Sequence, residues 1–233
     1  MALLIQNGRV VTPERTFAAD VLVRDGKIAA VGPGLPADGC ETYDAAGCLV
    51  FPGFIDAHTH LDMDNGVTAT ADNFATGTLA AVCGGTTTVV DFATQDKGGT
   101  LARALEAWHK KADGKSSCDY AFHMAITDWN PAVAEEVGEM VKAGVTSFKL
   151  YLAYDNLRVT DAELYEILKR GGQAHGIIGT HCENGDLVNE KVAELRAAGK
   201  LGPRYHAPSR PDYVEAEAVA RYCYIAGAAG VPV

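Results

Sequence analysis

The chain has 233 residues, 48% of them hydrophobic and 21% charged, enough to bury a real core in one large domain or two modest ones. Its formal net charge of −10 argues against nucleic acid, whose phosphates would repel it, and suits a small neutral substrate. No window approaches the roughly 18 uninterrupted apolar residues of a membrane span, and MALLIQNGRVV has no basic region before its short apolar stretch. Neither membrane nor export is therefore expected. The six cysteines (Cys40, Cys48, Cys83, Cys118, Cys182, Cys223) form no CxxC pair and read as free thiols in a reducing cytoplasm.

Residues 1–50 read as short strands. LLIQNGRVV and ADVLVRDGKIAAVG cluster aliphatics between turn signals at Asn7-Gly8, Asp25-Gly26 and Gly32-Pro33-Gly34. After Pro52-Gly53 the pattern changes, which sets a first segment at 1–50 and a second at 51–233. Apolar strands are expected at 53–58, 86–93, 119–127, 146–153 and 177–182. Helices are expected near 71–83, 100–112, 131–143, 161–174, 186–199 and 212–229, with Asn130-Pro131 and Thr160-Asp161 as starts. Strands this apolar, each followed by a helix, imply parallel pairing with both faces covered. Val231-Pro232-Val233 reads as the start of a sixth strand. An open doubly wound sheet would carry a Gly-rich phosphate turn after its first strand, and none is present. Five βα units and a stub fall short of an eightfold barrel, which takes about 250 residues by itself. The sequence reads as unfinished.

Three strand ends carry groups suited to metal chemistry. His58-Thr59-His60 places two imidazoles at i and i+2, on one side of an extended strand, where both can meet one ion. HxH alone is a weak signal, equally the mark of two polar histidines at a strand end. Lys149 stands inside the apolar run SFKLYLAY, where an unpaired ammonium costs several kcal/mol or gives up its proton. It could pair with a carboxylate; alternatively, its neutral amine could take up carbon dioxide to give an anionic carbamate long enough to bridge two cations. His181, in GTHCENGD, is a third strand-end donor, which alone would read as a capping or core histidine.

Taken together, PGFIDAHTHLDM, ADNFATGTLAAVCGGTTTVVDFA, SFKLYLAY and THCENGDLV resemble the hydantoinase/dihydropyrimidinase family of cyclic amidohydrolases, in order and at fitting separations. The resemblance runs over essentially the whole chain. It implies an α/β fold, a (β/α)8 TIM-type barrel preceded by a small β-sandwich segment, of which about the first five βα units are present. It implies two divalent cations, zinc first with manganese or cobalt as alternatives: His58 and His60 on the more buried one, a carboxylated Lys149 bridging both, and His181 on the more exposed one. Tyr154 matches the family tyrosine that hydrogen-bonds the substrate and its developing oxyanion. The implied reaction opens a hydantoin, a 5-substituted hydantoin or a dihydropyrimidine to an N-carbamoyl amino acid by metal-activated hydroxide. Leu61, Met63 and Leu152 flank these groups and are expected to line an apolar pocket for the ring's substituent, or to pack at the barrel mouth. A homotetramer or homodimer is the implied assembly.

The sequence departs from the family's pattern in one respect. A sixth-strand histidine and an eighth-strand aspartate that serves as ligand and acid/base have no counterpart among these residues. Asp56, Asp62 and Asp91 lie near strand ends, but none occupies the matching position. Allantoinase and dihydroorotase are the nearest enzyme rivals. Dihydroorotases resembling this chain carry an arginine after the second histidine, where Leu61-Asp62-Met63 stands here. The family's non-catalytic scaffold relatives lose metal ligands, whereas His58, His60, Lys149 and His181 are all present.

Overall fold

The computed structural model describes residues 2–64 and 66–233, which divide into two compact units, 1–54 and 55–233. In the first unit, β1 (Ala2–Val11), β2 (Thr16–Arg24) and β3 (Lys27–Gly32) form an antiparallel meander. The turn between β2 and β3 is Asp25-Gly26, both at positive φ, the geometry that a two-residue hairpin needs to match strand twist. Strands β4 (Glu41–Asp44) and β5 (Leu49–Val50) add to β1 in parallel, so the unit is a single five-stranded layer. Its small core comprises Val10, Ala19 and Val21, with Ile5, Phe17, Val23 and Val50 packed against it.

The second unit is a half-barrel. Its sheet, in the order β10-β9-β8-β7-β6, comprises β6 (Phe54–Thr59), β7 (Thr86–Thr94), β8 (Asp119–Ala125), β9 (Ser147–Tyr151) and β10 (Ile177–His181). Pairing is parallel across β7–β8, β8–β9 and β9–β10. Helices α1 (Phe74–Cys83), α2 (Leu101–Ala112), α3 (Pro131–Lys142), α4 (Asp161–Gln173) and α5 (Gly185–Ala197) follow the five strands in turn, and α6 (Asp212–Ala229) comes last. The starts of these helices are written in the sequence. Asn73 and Thr160 close capping boxes, Thr100, Asn130 and Asn184 cap by side chain, and Pro131 occupies the first turn of α3.

One face of this sheet packs on the helices. Along β9 the burial alternates, with Phe148 and Leu150 buried and Ser147, Lys149 and Tyr151 half-buried on the opposite side. Phe122, Met124, Phe148, Leu150 and Ile178 meet Leu101, Val133, Val137, Leu164, Ile167 and Leu168 in one contiguous core. The other face is open; among the described residues β6 and β10 pair on one side only, and Ile177 on that face is 54% exposed. The expected sixth strand does not form: residues 231–233 have no strand partner. Instead Val231 folds back on α6, donating its N–H to Ala226 O, and packs against the core beside Gly172. No helix among the described residues is long and apolar enough to cross a membrane.

Candidate functional site

The open face of the sheet gathers the chemically active side chains near the strands' carboxyl ends. Register does the gathering: Phe92 lies opposite His123, Ala125 opposite Lys149, and Tyr151 opposite His181. The Phe92 ring is the hub. Its centroid is 4.6 Å from that of His58, 5.0 Å from His60 and 4.8 Å from His123, and the Lys149 ammonium stands 5.4 Å above it. His58 and His60, two residues apart on β6, have ring centroids 5.2 Å apart. From Lys149 the site continues sideways, with Nζ 5.6 Å from the Tyr151 ring, Tyr151 6.3 Å from Tyr154, and Tyr154 5.1 Å from His181.

The electrostatics follow from burial without acid. Among the described residues Lys149 makes no hydrogen bond or ion pair, and burial pulls its pKa below the ordinary lysine value. Burial also lowers His58 and His60, helped at both by the nearby Lys149 charge and opposed at His60 by Asp91. Both histidines are thereby biased to the neutral form that donates a lone pair. His181 is differently placed. Its Nε2 is 2.6 Å from Glu183 Oε2, and Arg210 holds the other Glu183 oxygen at 3.3 Å. A carboxylate there keeps the proton on Nε2 and leaves Nδ1 as the nitrogen with a free lone pair.

The other expected residues separate. Tyr154 is 41% exposed and holds a left-handed backbone, φ 67°, a conformation that costs a bulky residue. Leu157 and Arg158 secure it by donating their N–H groups to the Tyr154 carbonyl, each at 2.8 Å. Met63 lines a cavity of about 710 Å³ together with Thr94, Gln95, Trp108, Thr127 and Tyr151. Leu152, in contrast, is only 3% exposed and belongs to the core, and Leu61 packs against that core and over Gly77 of α1. These two leucines pack rather than line that cavity, because β9's alternation turns Leu152 toward the helices.

Several structural partners were not singled out from sequence. Asp91 is fully buried at the floor of the site and bonded to β6 and α2. Gln95, 1% exposed, ties the β7 and β8 loops by accepting from Thr127 N and Asp128 N, both at 3.1 Å. His123 reaches Ala57 O at 3.0 Å through Nε2 and Ser147 Oγ through Nδ1. A buried Asp or Gln inside an apolar strand was the available signal.

The model of the amidohydrolase family matches residues 49–202, two-thirds of the chain. The chain belongs to the amidohydrolase family. The chain is 44% identical over 232 residues to the D-hydantoinase of Geobacillus stearothermophilus, covering 99% of this chain and 49% of that enzyme. It is 42% identical over 237 residues to the dihydropyrimidinase of Rattus norvegicus, covering 99% of this chain and 46% of that one. Among solved structures, the dihydropyrimidinase of Brevibacillus agri superposes with a TM-score of 0.96 at 42% identity, over 99% of this chain and 50% of that one. The L-hydantoinase of Arthrobacter aurescens superposes with a TM-score of 0.86 at 26% identity, over 98% and 51% of the two chains. The chain thus spans about half the length of the relatives it matches, and its half-barrel is that of the hydantoinase TIM-type fold.

The donor set bears on what the site holds. Among the described residues no three His, Cys, Asp or Glu side chains come together as a metal-binding group. Beside His58 and His60 stands the Lys149 amine, half-buried and sharing the Phe92 ring with both imidazoles.

Proposed function

We propose that this chain carries the greater part of the metal site of a cyclic amidohydrolase that opens hydantoins or dihydropyrimidines to N-carbamoyl amino acids. The observation that carries this reading is the unpaired Lys149 amine on the same ring as His58 and His60. Depressed by burial, that amine reacts with carbon dioxide, forming an N–C bond and releasing a proton, and becomes an anion with two oxygens. His58, His60 and one carbamate oxygen would hold one divalent cation. The other oxygen and His181 Nδ1 would hold part of the coordination sphere of a second. When bound, such cations, zinc by the N and O donor set, lower the pKa of water and polarise the carbonyl under attack.

The chain's own residues do the rest. Tyr154 is placed at the open side of His181, where its hydroxyl donates to the oxygen that gains charge as the ring carbonyl becomes tetrahedral. Met63 and Tyr151, on the adjoining cavity, give the ring's substituent an apolar wall. The Glu183–Arg210 pair orients the His181 ring, the part that outer-shell carboxylates play for metal-binding histidines. The names D-hydantoinase and dihydropyrimidinase of the relatives support the substrate class and a small-molecule partner; a cytoplasmic setting and a dimeric or tetrameric assembly are proposed from the family resemblance of the sequence alone.

The test is metal content followed by ring opening. Purified chain dialysed against zinc and bicarbonate is expected to retain zinc, and to carry a mass increase of one carbon dioxide on Lys149 by native mass spectrometry. Hydantoin and dihydrouracil are then assayed for N-carbamoyl product. Chain that holds no zinc with Lys149 unmodified would exclude the reading.

A further inference from the structure

Asp91 is 0% exposed at the carboxyl half of β7, and the catalytic reading assigns it no part. Four donors converge on its carboxylate. Oδ2 accepts from the Thr59 hydroxyl at 3.0 Å and from Leu61 N at 2.7 Å. Oδ1 accepts from the Trp108 indole N–H at 2.8 Å and from Phe92 N at 2.8 Å. Both oxygens act only as acceptors, the pattern of an ionised carboxylate buried among donors.

The positions of those donors matter more than their number. Thr59 is the residue between the two histidines of β6, and Leu61 directly follows the second. Among the described residues β6 pairs on one side only, with β7, and its residues are largely exposed, so here β7 fixes how its end is aimed. Asp91 grips that end on both sides of His60 and ties it to the buried Trp108 of α2. Phe92, the next residue along, supplies the ring on which both imidazoles rest. We propose that Asp91 is a positioning residue: through Thr59 and Leu61 on one oxygen and Trp108 on the other, it sets the aim of His58 and His60 at their shared ion. This inference rests on the metal reading above for its ligand, but its grip on the two histidines is a property of the chain alone.

Asparagine at this position is nearly isosteric but has one acceptor oxygen and an NH2 group. Whichever way it turns, the NH2 faces donors, either Thr59 and Leu61 or Trp108 and Phe92. Replacing Trp108 by phenylalanine removes one of the two donors on that side, so the amide nitrogen turned there faces only Phe92 N–H while the oxygen stays on Thr59 and Leu61. Zinc affinity of the chain is measured by competition with a chromophoric chelator. Asp91→Asn is expected to weaken it about 10–100-fold, the usual cost of losing an outer-shell partner, and adding Trp108→Phe is expected to restore part of the loss. Rescue by a second destabilising change is not what a purely structural aspartate would produce. Asp91→Asn that folds and binds zinc like the parent, or a double variant weaker than the single one, overturns the proposal. Should Asp91→Asn fail to fold, Thr59→Val, which removes only one donor, decides by whether zinc binding weakens or stays at the parental value.

The metal reading and this inference fail separately. If the parent chain binds no zinc, the metal reading falls, and the ring nitrogen resonances of the metal-free chain still judge Asp91. His58 and His60 signals that move or broaden in Thr59→Val while the distant His175 stays fixed support it, and unchanged signals overturn it.

Discussion

Lys149 and Asp91 stand on one sheet with opposite charges and opposite fortunes. Asp91 is satisfied by four donors, whereas among the described residues the Lys149 ammonium has no acceptor or acid and faces only the Phe92 and Tyr151 rings. Replacing Lys149 by alanine is therefore expected to abolish retention of paired zinc ions without unfolding the chain, read by elemental analysis beside circular dichroism. Tyr154→Phe removes one hydrogen bond to the oxyanion, and kcat is expected to fall by roughly 10²–10³, about 2.7–4 kcal/mol, with little change in KM. A larger change in KM than in kcat would place that hydroxyl on the ground-state substrate instead. Lys149 was legible in the sequence because a charge inside an apolar strand has to be explained. Asp91 sits in an equally apolar run, TTTVVDFA, and the same cost argument applies to it. It was declined as a ligand with Asp56 and Asp62, and only the fold shows that its partners are Thr59, Leu61 and Trp108, residues 32, 30 and 17 positions away. Glu183 escaped notice for a related reason, since a glutamate two residues past a histidine looks like an ordinary loop charge.

The elements themselves were legible almost to their ends. Helix starts expected at Thr160-Asp161 and Asn130-Pro131 are the observed ones, because a capping side chain is a local signal that needs no tertiary partner. Thr160→Ala removes the half of the α4 capping box in which Glu163 N–H donates to Thr160 Oγ1, leaving Thr160 N–H on Glu163 Oε2, and is expected to lower unfolding free energy by about 1 kcal/mol, with an unchanged urea slope. Glycines give a sharper contrast. A Cβ at Gly185, the first residue of α5, would lie 3.0 Å from Ala153 Cα and 3.1 Å from Leu152 O, backbone atoms that cannot rotate aside. Gly185→Ala is expected to cost about 1–3 kcal/mol as overpacking, and to disturb the loop that carries Tyr154. Gly138, inside α3, has nothing within 4 Å of its added Cβ, so Gly138→Ala is expected to stabilise by about 0.5–1 kcal/mol. Thermal or urea unfolding of the pair checks both signs at once. Val231-Pro232-Val233 was misjudged as a strand because β-branched residues report a preference, whereas pairing requires a neighbour, and Val231 finds the core beside α4 instead.

For the second unit as a whole, the repeat of apolar strand and helix announced parallel pairing, but no residue pattern could say that the open face would hold the site and the helical face the core. That division comes from alternation on β9, where odd positions carry chemistry and even ones pack. Among the described residues β6 and β10 pair on one side only, and Ile55 and Ile177 on these strands are exposed. Concentration-dependent self-association is therefore expected in light scattering, and Ile177→Lys on β10 is expected to suppress it, as charges on edge strands do. Monodisperse parent chain across a wide concentration range would show that these edges are protected in solution. The sheet's order also has a meaning in time. Its strands lie in space in the same sequence in which they occur along the chain, β6 through β10, so each newly made strand finds its partner already synthesised and waiting. No strand has to be inserted between two others, and a ribosome that pauses after any of the helices leaves behind a smaller sheet with one growing edge, ready for the next unit.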